Sequence, residues 1–229
     1  MVVTLRRHLS VMSTHGTRVQ PHSPEGNVLH NLVQKNLYHV NRTVARWNII
    51  SQLNIGMVNA RLAINKAVEL HAVIRDNRLD ILIITETWFQ PDTMNVIASD
   101  IAPPSFKDIG APRPDGHRGD SRAVAYADNL KVTAAPNQIS PTSFEPQTVR
   151  LAIAGEHFVI TGATINKHRR LMFFDELADL FDATASIGGH VVHTGDFNRN
   201  VPETIDDHLS ALLSCYNMVT VNNGATHLH

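Results

Sequence analysis

Residues 53–89 read LNIGMVNARLAINKAVELHAVIRDNRLDILIITETWF, and the alternation of patterns within this stretch decides the fold. The run from Trp47 to Val58 is apolar and β-branched and stops at Asn59, which predicts one or two strands. Over 65–77, Ala67, Leu70, Val73 and Ile74 recur three and four residues apart, with Lys66, Glu69, Arg75 and Asp76 on the other side, the spacing of an amphipathic helix. Leu79–Thr85 is then apolar almost without interruption, as in a strand covered on both faces, and it ends at Glu86.

The same alternation continues downstream. Residues 90–120 carry Pro91, Pro103, Pro104, Pro112, Pro114, Gly116 and Gly119 and read as a long surface connection. Strands are expected at Ala123–Tyr126, Thr148–Ile153 and His157–Ala163, the last two joined as a hairpin through Ala154-Gly155-Glu156. Phe173, Phe174, Leu177, Leu180 and Phe181 define a second amphipathic helix, its polar side formed by Asp175, Glu176, Asp179 and Asp182. Gly188-Gly189 turns the chain into a short strand that stops at Gly195-Asp196-Phe197-Asn198. A last helix, roughly 206–217, places Leu209, Leu212, Leu213 and Tyr216 on one face, with Asp206 and Asp207 in the first turn, where the helix dipole favours acids.

Composition narrows the function. The chain has 229 residues and a formal net charge of -1, without the overall basic field of a protein that holds nucleic acid by charge alone. No apolar run approaches the length of a membrane-spanning helix, so no membrane partner is expected. The single cysteine, Cys215, leaves no internal disulfide partner and no cysteine zinc site, and points to an intracellular, nuclear or cytoplasmic protein. Residues 1–46 carry six Lys/Arg against one acid, Glu25, leaving 14 basic and 20 acidic residues in 47–229. With Gly16, Pro21, Pro24 and Gly26 among Ser, Thr and His, this segment reads as a basic, largely disordered leader. Arg6, Arg7 and Arg18 also fit a mitochondrial targeting segment as a minor alternative. Residues 47–229 are the expected domain.

Asn59, Glu86 and Asp196 each come directly, or within a residue or two, after an apolar strand. If the strands share a direction, the three converge on one rim, the usual place for chemistry in mixed α/β architectures. A carboxylate and an amide oxygen held together suit a hard cation such as Mg²⁺, or Mn²⁺. A second carboxylate can orient or deprotonate an attacking water, which makes phosphoester hydrolysis the leading class. Taken singly, Glu86 also fits a strand-end surface acid, and Asp196 with Asn198 also fits a tight turn or a helix N-cap.

The pieces NAR and NK (59–61 and 65–66) and ETW (86–88) resemble the opening of endonuclease/exonuclease/phosphatase domains, in particular the endonuclease domain of non-LTR retrotransposons. PRPDGHRGD (112–120), SFE (143–145), FFDELADLF (173–181), GDFN (195–198) and GATH (224–227) follow in the order that family shows. The resemblance covers about 50–229 and implies an α/β four-layered sandwich, two mixed sheets face to face with helices outside. It implies Mg²⁺-dependent cleavage of a phosphodiester, with DNA as the substrate. By the same resemblance Glu86 and Asn59 would hold the metal, Asp196 would orient or activate the water, Asn198 would hold the scissile phosphate or support Asp196, and Lys66 would at most contact the nucleic-acid backbone.

Three departures from the family pattern imply weakened or absent activity. The strand VITGATIN (159–166) lacks the family's site tyrosine. Arg118-Gly119-Asp120-Ser121-Arg122 stands in place of a glycine run. The family's terminal aspartate and Asp-His pair fall beyond His229, so the sandwich is expected to be incomplete at its C-terminal end, as in a decayed copy. The alternative is a non-catalytic remnant that binds nucleic acid or protein, for which salt-sensitive DNA binding without a metal requirement is expected. A phosphatase of a small phosphorylated metabolite is a third reading, since fold and metal do not fix substrate.

Overall fold

The structure, a computed structural model, describes residues 2–5, 10–11, 34–42, 51–89, 99–111, 121–136, 139–153, 155–165, 172–196 and 203–220. In chain order the elements are β1 (Val2–Leu5), β2 (Ser10–Val11), β3 (Gln34–Arg42), β4 (Ser51–Asn59), α1 (Ala67–Asp76), β5 (Ile81–Thr85), β6 (Phe106–Ala111) and β7 (Arg122–Ala127). They continue with β8 (Lys131–Ala134), β9 (Phe144–Ile153), β10 (Glu156–Ile165), α2 (Phe173–Ile187), β11 (His190–Asp196), α3 (Glu203–Cys215) and β12 (Met218–Thr220).

These strands form two six-stranded sheets, ordered β12-β1-β11-β10-β9-β8 and β2-β3-β4-β5-β7-β6. Each is mixed: β4 runs parallel to β5 and β10 parallel to β11, while the other pairs are antiparallel. The expected sandwich is therefore present. Its interior is the layer between the sheets, where Leu53, Ile55 and Met57 of β4 and Ile81 and Ile83 of β5 meet Val149, Leu151, Phe158, Ile160 and Val192 of the other sheet. Contact is close enough that a side chain at Gly162 would collide with Ile83, its Cβ 2.5 Å from Ile83 Cγ2.

The outer faces explain the helices. Leu70, Val73 and Ile74 of α1 pack on Leu82 and Ile84, the outward residues of β5, so β5 is apolar from Ile81 to Ile84 because both its faces are covered. On the other sheet Leu177, Leu180 and Phe181 of α2 and Leu209 and Leu213 of α3 cover Val159 and Val191. The hairpin between β9 and β10 closes with Glu156 opposite Ile153. Gly189 is required at the turn into β11: its φ is 93°, and a Cβ there would lie 2.4 Å from the His157 carbonyl oxygen.

Two features depart from the sequence reading. The proline-rich stretch 90–120 contains β6, whose six residues lie between Pro104 and Pro112 and pair along β7. The prolines bound the strand without interrupting it. The second departure is in the first 46 residues, which contribute three strands. Nine-residue β3 pairs with all of β4, from Gln34 opposite Asn59 to Arg42 opposite Ser51. β1 inserts between β11 and β12. A polar, basic composition predicts little ordering by burial, but a strand laid on a sheet edge gains backbone hydrogen bonds whatever its side chains. Because β11 lies over β4 and β10 over β5, β1 and β3 extend the same flank of the two sheets.

Candidate functional site

Asn59 ends β4, and Glu86 directly follows β5, which runs parallel to it with Asn59 opposite Thr85. The two side chains therefore emerge at one end of one sheet, where Asn59 Nδ2 donates to Glu86 Oε1 at 2.8 Å. Asn59 is buried and its Oδ1 accepts the Arg61 amide, so its orientation is fixed from both ends. Glu86 is half-buried, with one carboxylate oxygen held by the amide.

The backbone behind this pair is strained. Arg61, Leu62, Asn65, Glu86 and Trp88 all have positive φ, between 44° and 86°, in two short segments. Left-handed backbone at a non-glycine residue costs about 1–3 kcal/mol and persists where the surroundings over-determine it. Here the segments brace one another: Ala60, Leu62 and Ala63 amides donate to the Thr85, Glu86 and Thr87 carbonyls. Ser121 anchors the second segment, its hydroxyl accepting from Thr87 Oγ1 at 2.8 Å and from the Phe89 amide at 2.6 Å, and its carbonyl accepting from the Thr87 amide. Lys66 anchors the first, its ammonium donating to the Ala60 and Arg61 carbonyls. Burial lowers the Lys66 pKa, Arg61 adds to the lowering and Glu69 opposes it. The ammonium expected to contact a nucleic-acid backbone is thus engaged as a staple of the loop that carries Asn59.

Asp196 is the last residue of β11 and stands opposite Thr164 of β10, which stands opposite Glu145 of β9. These three positions form a row at the same end of the sandwich as Asn59. Glu145 reaches the other sheet, where Arg122 Nη1 donates to its Oε2 at 2.5 Å. Glu145 and Thr164 are thus on the inter-sheet side, in step with Val149 and Ile160 of the core. Asn198 and the segments 112–120 and 224–227 lie outside the described residues.

Sequence reasoning brought together Asn59 and Glu86 and placed Asp196 at the end of its strand. It missed Ser121 and the Arg122–Glu145 pair, although Ser121 and Arg122 close the altered glycine segment and Glu145 ends SFE. SFE and FFDELADLF are in fact joined, because Glu176 accepts from the amides and hydroxyls of both Thr142 and Ser143. Burial works against the Glu176 carboxylate, but these four hydrogen bonds outweigh it and bring its pKa down to about 2.

The sequence model of the endonuclease/exonuclease/phosphatase family matches residues 51–217, from β4 through α3, which takes in strands of both sheets together with α1, α2 and α3. The chain belongs to this family. No curated protein matches the chain. Similar solved structures include the endonuclease domain of TRAS1, a telomere-specific non-LTR retrotransposon, at 14% identity and TM-score 0.46, covering 66% of this chain and 64% of that one. The AP endonuclease of Leishmania major matches at 13% identity and TM-score 0.47, covering 60% of this chain and 51% of that one. The human Nocturnin catalytic domain matches at 19% identity and TM-score 0.44, covering 66% and 63%. The chain thus spans between half and two-thirds of the length of these family structures.

The donor chemistry of the pair fits a divalent cation. Glu86 offers a carboxylate at the mouth, and a hard cation such as Mg²⁺ needs only one or two protein oxygens because it keeps several waters. Among the described residues no three His, Cys, Asp or Glu gather as a caged metal would require. Among them, too, no helix is long and apolar enough to cross a membrane.

Proposed function

We propose that the chain is a metal-dependent phosphodiester hydrolase acting on DNA, of non-LTR retrotransposon origin and with slow turnover. The observation that carries this reading is the Asn59–Glu86 hydrogen bond at 2.8 Å, which pre-orients a carboxylate at the rim where β11 ends in Asp196. Glu86 would hold Mg²⁺ or Mn²⁺, and Asn59, expected beside it at the metal, would orient the Glu86 carboxylate. The cation supplies charge stabilisation at a phosphoryl oxygen. Asp196 orients the water and accepts its proton, and Asn198 holds the phosphate.

DNA is favoured over a small phosphorylated metabolite by the retrotransposon-type run of 53–89, which joins NAR, NK and ETW in one stretch. Slow turnover follows from the strand that ends β10, which carries Thr164 and no tyrosine. Loss of one hydrogen bond to developing charge costs about 10²-fold in rate.

Nicking of supercoiled plasmid tests the proposal. The purified chain is expected to nick with Mg²⁺ and not with EDTA, and Glu86→Ala with Asp196→Ala is expected to be inert. A folded wild-type chain that nicks no faster than this double variant would remove the hydrolase reading and leave the binding remnant.

A further inference from the structure

Glu86 belongs to one sheet and Asp196 to the other, so the gap between the two halves of the site is set by how far apart the sheets stand at the rim. Deeper in the sandwich the apolar core fixes that spacing. At the rim the core gives way to polar residues, with Asn59, Thr85, Thr164 and Thr194 buried there. Apolar packing cannot define the separation at that level.

We propose that Arg122 and Glu145 are a positioning pair that sets it. Arg122 opens β7, one residue from Ala123, which stands opposite Ile84 of β5, so it lies beside the segment leading to Glu86. Ser121, its neighbour, is the anchor of that segment. Glu145 lies in the row Glu145–Thr164–Asp196. The ion pair thus links the strand that braces the Glu86 side to the row that ends in the Asp196 side. It is largely withdrawn from water, with side-chain exposures of 15% and 26%, and measures 2.5 Å. A planar guanidinium on a carboxylate is a tie of defined length and direction, which an apolar contact is not. Neither residue touches the substrate; both act through the relative placement of Glu86 and Asp196. Displacement of about 1 Å in such a placement is enough to cost about 10²-fold in rate.

This inference rests on the hydrolase reading, and its test separates the two. Arg122→Leu combined with Glu145→Leu removes both charges, a replacement that commonly leaves a fold as stable as before. Plasmid nicking by this double variant, at a urea midpoint matching the wild type, is expected to show kcat lowered about 10–100-fold. KM and Mn²⁺ affinity should hold, since Glu86 and Asn59 are intact. The exchanged variant, Arg122→Glu with Glu145→Arg, should recover part of the loss. A folded double variant with wild-type kcat overturns the positioning role while leaving the hydrolase standing. A loss explained wholly by unfolded protein, with no recovery on exchange, overturns it too. A wild-type chain without metal-dependent nicking overturns both readings.

Discussion

Asn59 and Glu86 are 27 residues apart in the chain and joined by a hydrogen bond of 2.8 Å, because β4 and β5 run parallel and end at the same level. The buried amide of Asn59 has one oxygen on the Arg61 amide and its nitrogen on Glu86, so it serves the carboxylate as a fixed guide. Removing it frees the carboxylate to rotate.

Asn59→Ala is therefore expected to weaken Mn²⁺ binding about 10-fold or more, the scale of losing a partner behind a metal ligand. Isothermal titration with Mn²⁺ measures this directly. Affinity unchanged in the folded variant would mean that Asn59 does nothing for Glu86.

The N-terminal strands carry a second prediction. β3 covers the whole edge of β4 and β1 covers the edge of β11, so a chain beginning at Trp47 would present two unpaired edges on one flank. Open edges of this length pair with other chains. Such a shortened chain is expected to aggregate or self-associate in light scattering, and to melt at lower urea than the full chain. A monomeric 47–229 with the full chain's midpoint would show that the first strands are dispensable.

Acid sensitivity follows from His193. It is buried beneath α2, its ring tilted against that of Phe181 with centroids 4.7 Å apart, and its Nε2 lies 3.2 Å from Thr184 Oγ1. That hydroxyl donates to the Leu180 carbonyl at 2.8 Å, which leaves its oxygen to accept from Nε2–H. Burial lowers the His193 pKa to about 3, from 6.5 in the unfolded chain. The stability tied to the neutral ring is fully present above about pH 6.5 and is lost as pH falls toward about 3, at up to about 1.4 kcal/mol per pH unit for one proton. Glu176 acts in the same direction at lower pH, since its carboxylate must be charged to hold Thr142 and Ser143. Urea midpoints from pH 7.5 down to 4.5 should fall more steeply for the wild type than for His193→Leu. Equal slopes would contradict this account.

Individual strands and helices were legible in the residues because burial leaves periodic marks, while their arrangement as a sandwich came from the family resemblance. The unbroken Ile81–Thr85 run records a strand covered on both faces, and the spacing of Leu70, Val73 and Ile74 records the helix that covers it. Asn59 and Glu86 could be read because a polar residue interrupting a buried strand stands out. β1 and β3 could not, since strands that gain their place by backbone pairing with their neighbours need leave little hydrophobic pattern. Neither could the Arg122–Glu145 tie: two charged residues 23 apart carry no mark of facing each other until register aligns two sheets.

The central claim is that Glu86, oriented by Asn59, holds the cation on which cleavage depends. Electron paramagnetic resonance of free Mn²⁺, titrated with the wild-type chain and with Glu86→Gln, tests it most directly. The account predicts saturable binding by the wild type that is lost in the folded Glu86→Gln variant, where the carboxylate is removed and the shape kept. Equal binding by the two chains, or none by the wild type, would contradict it.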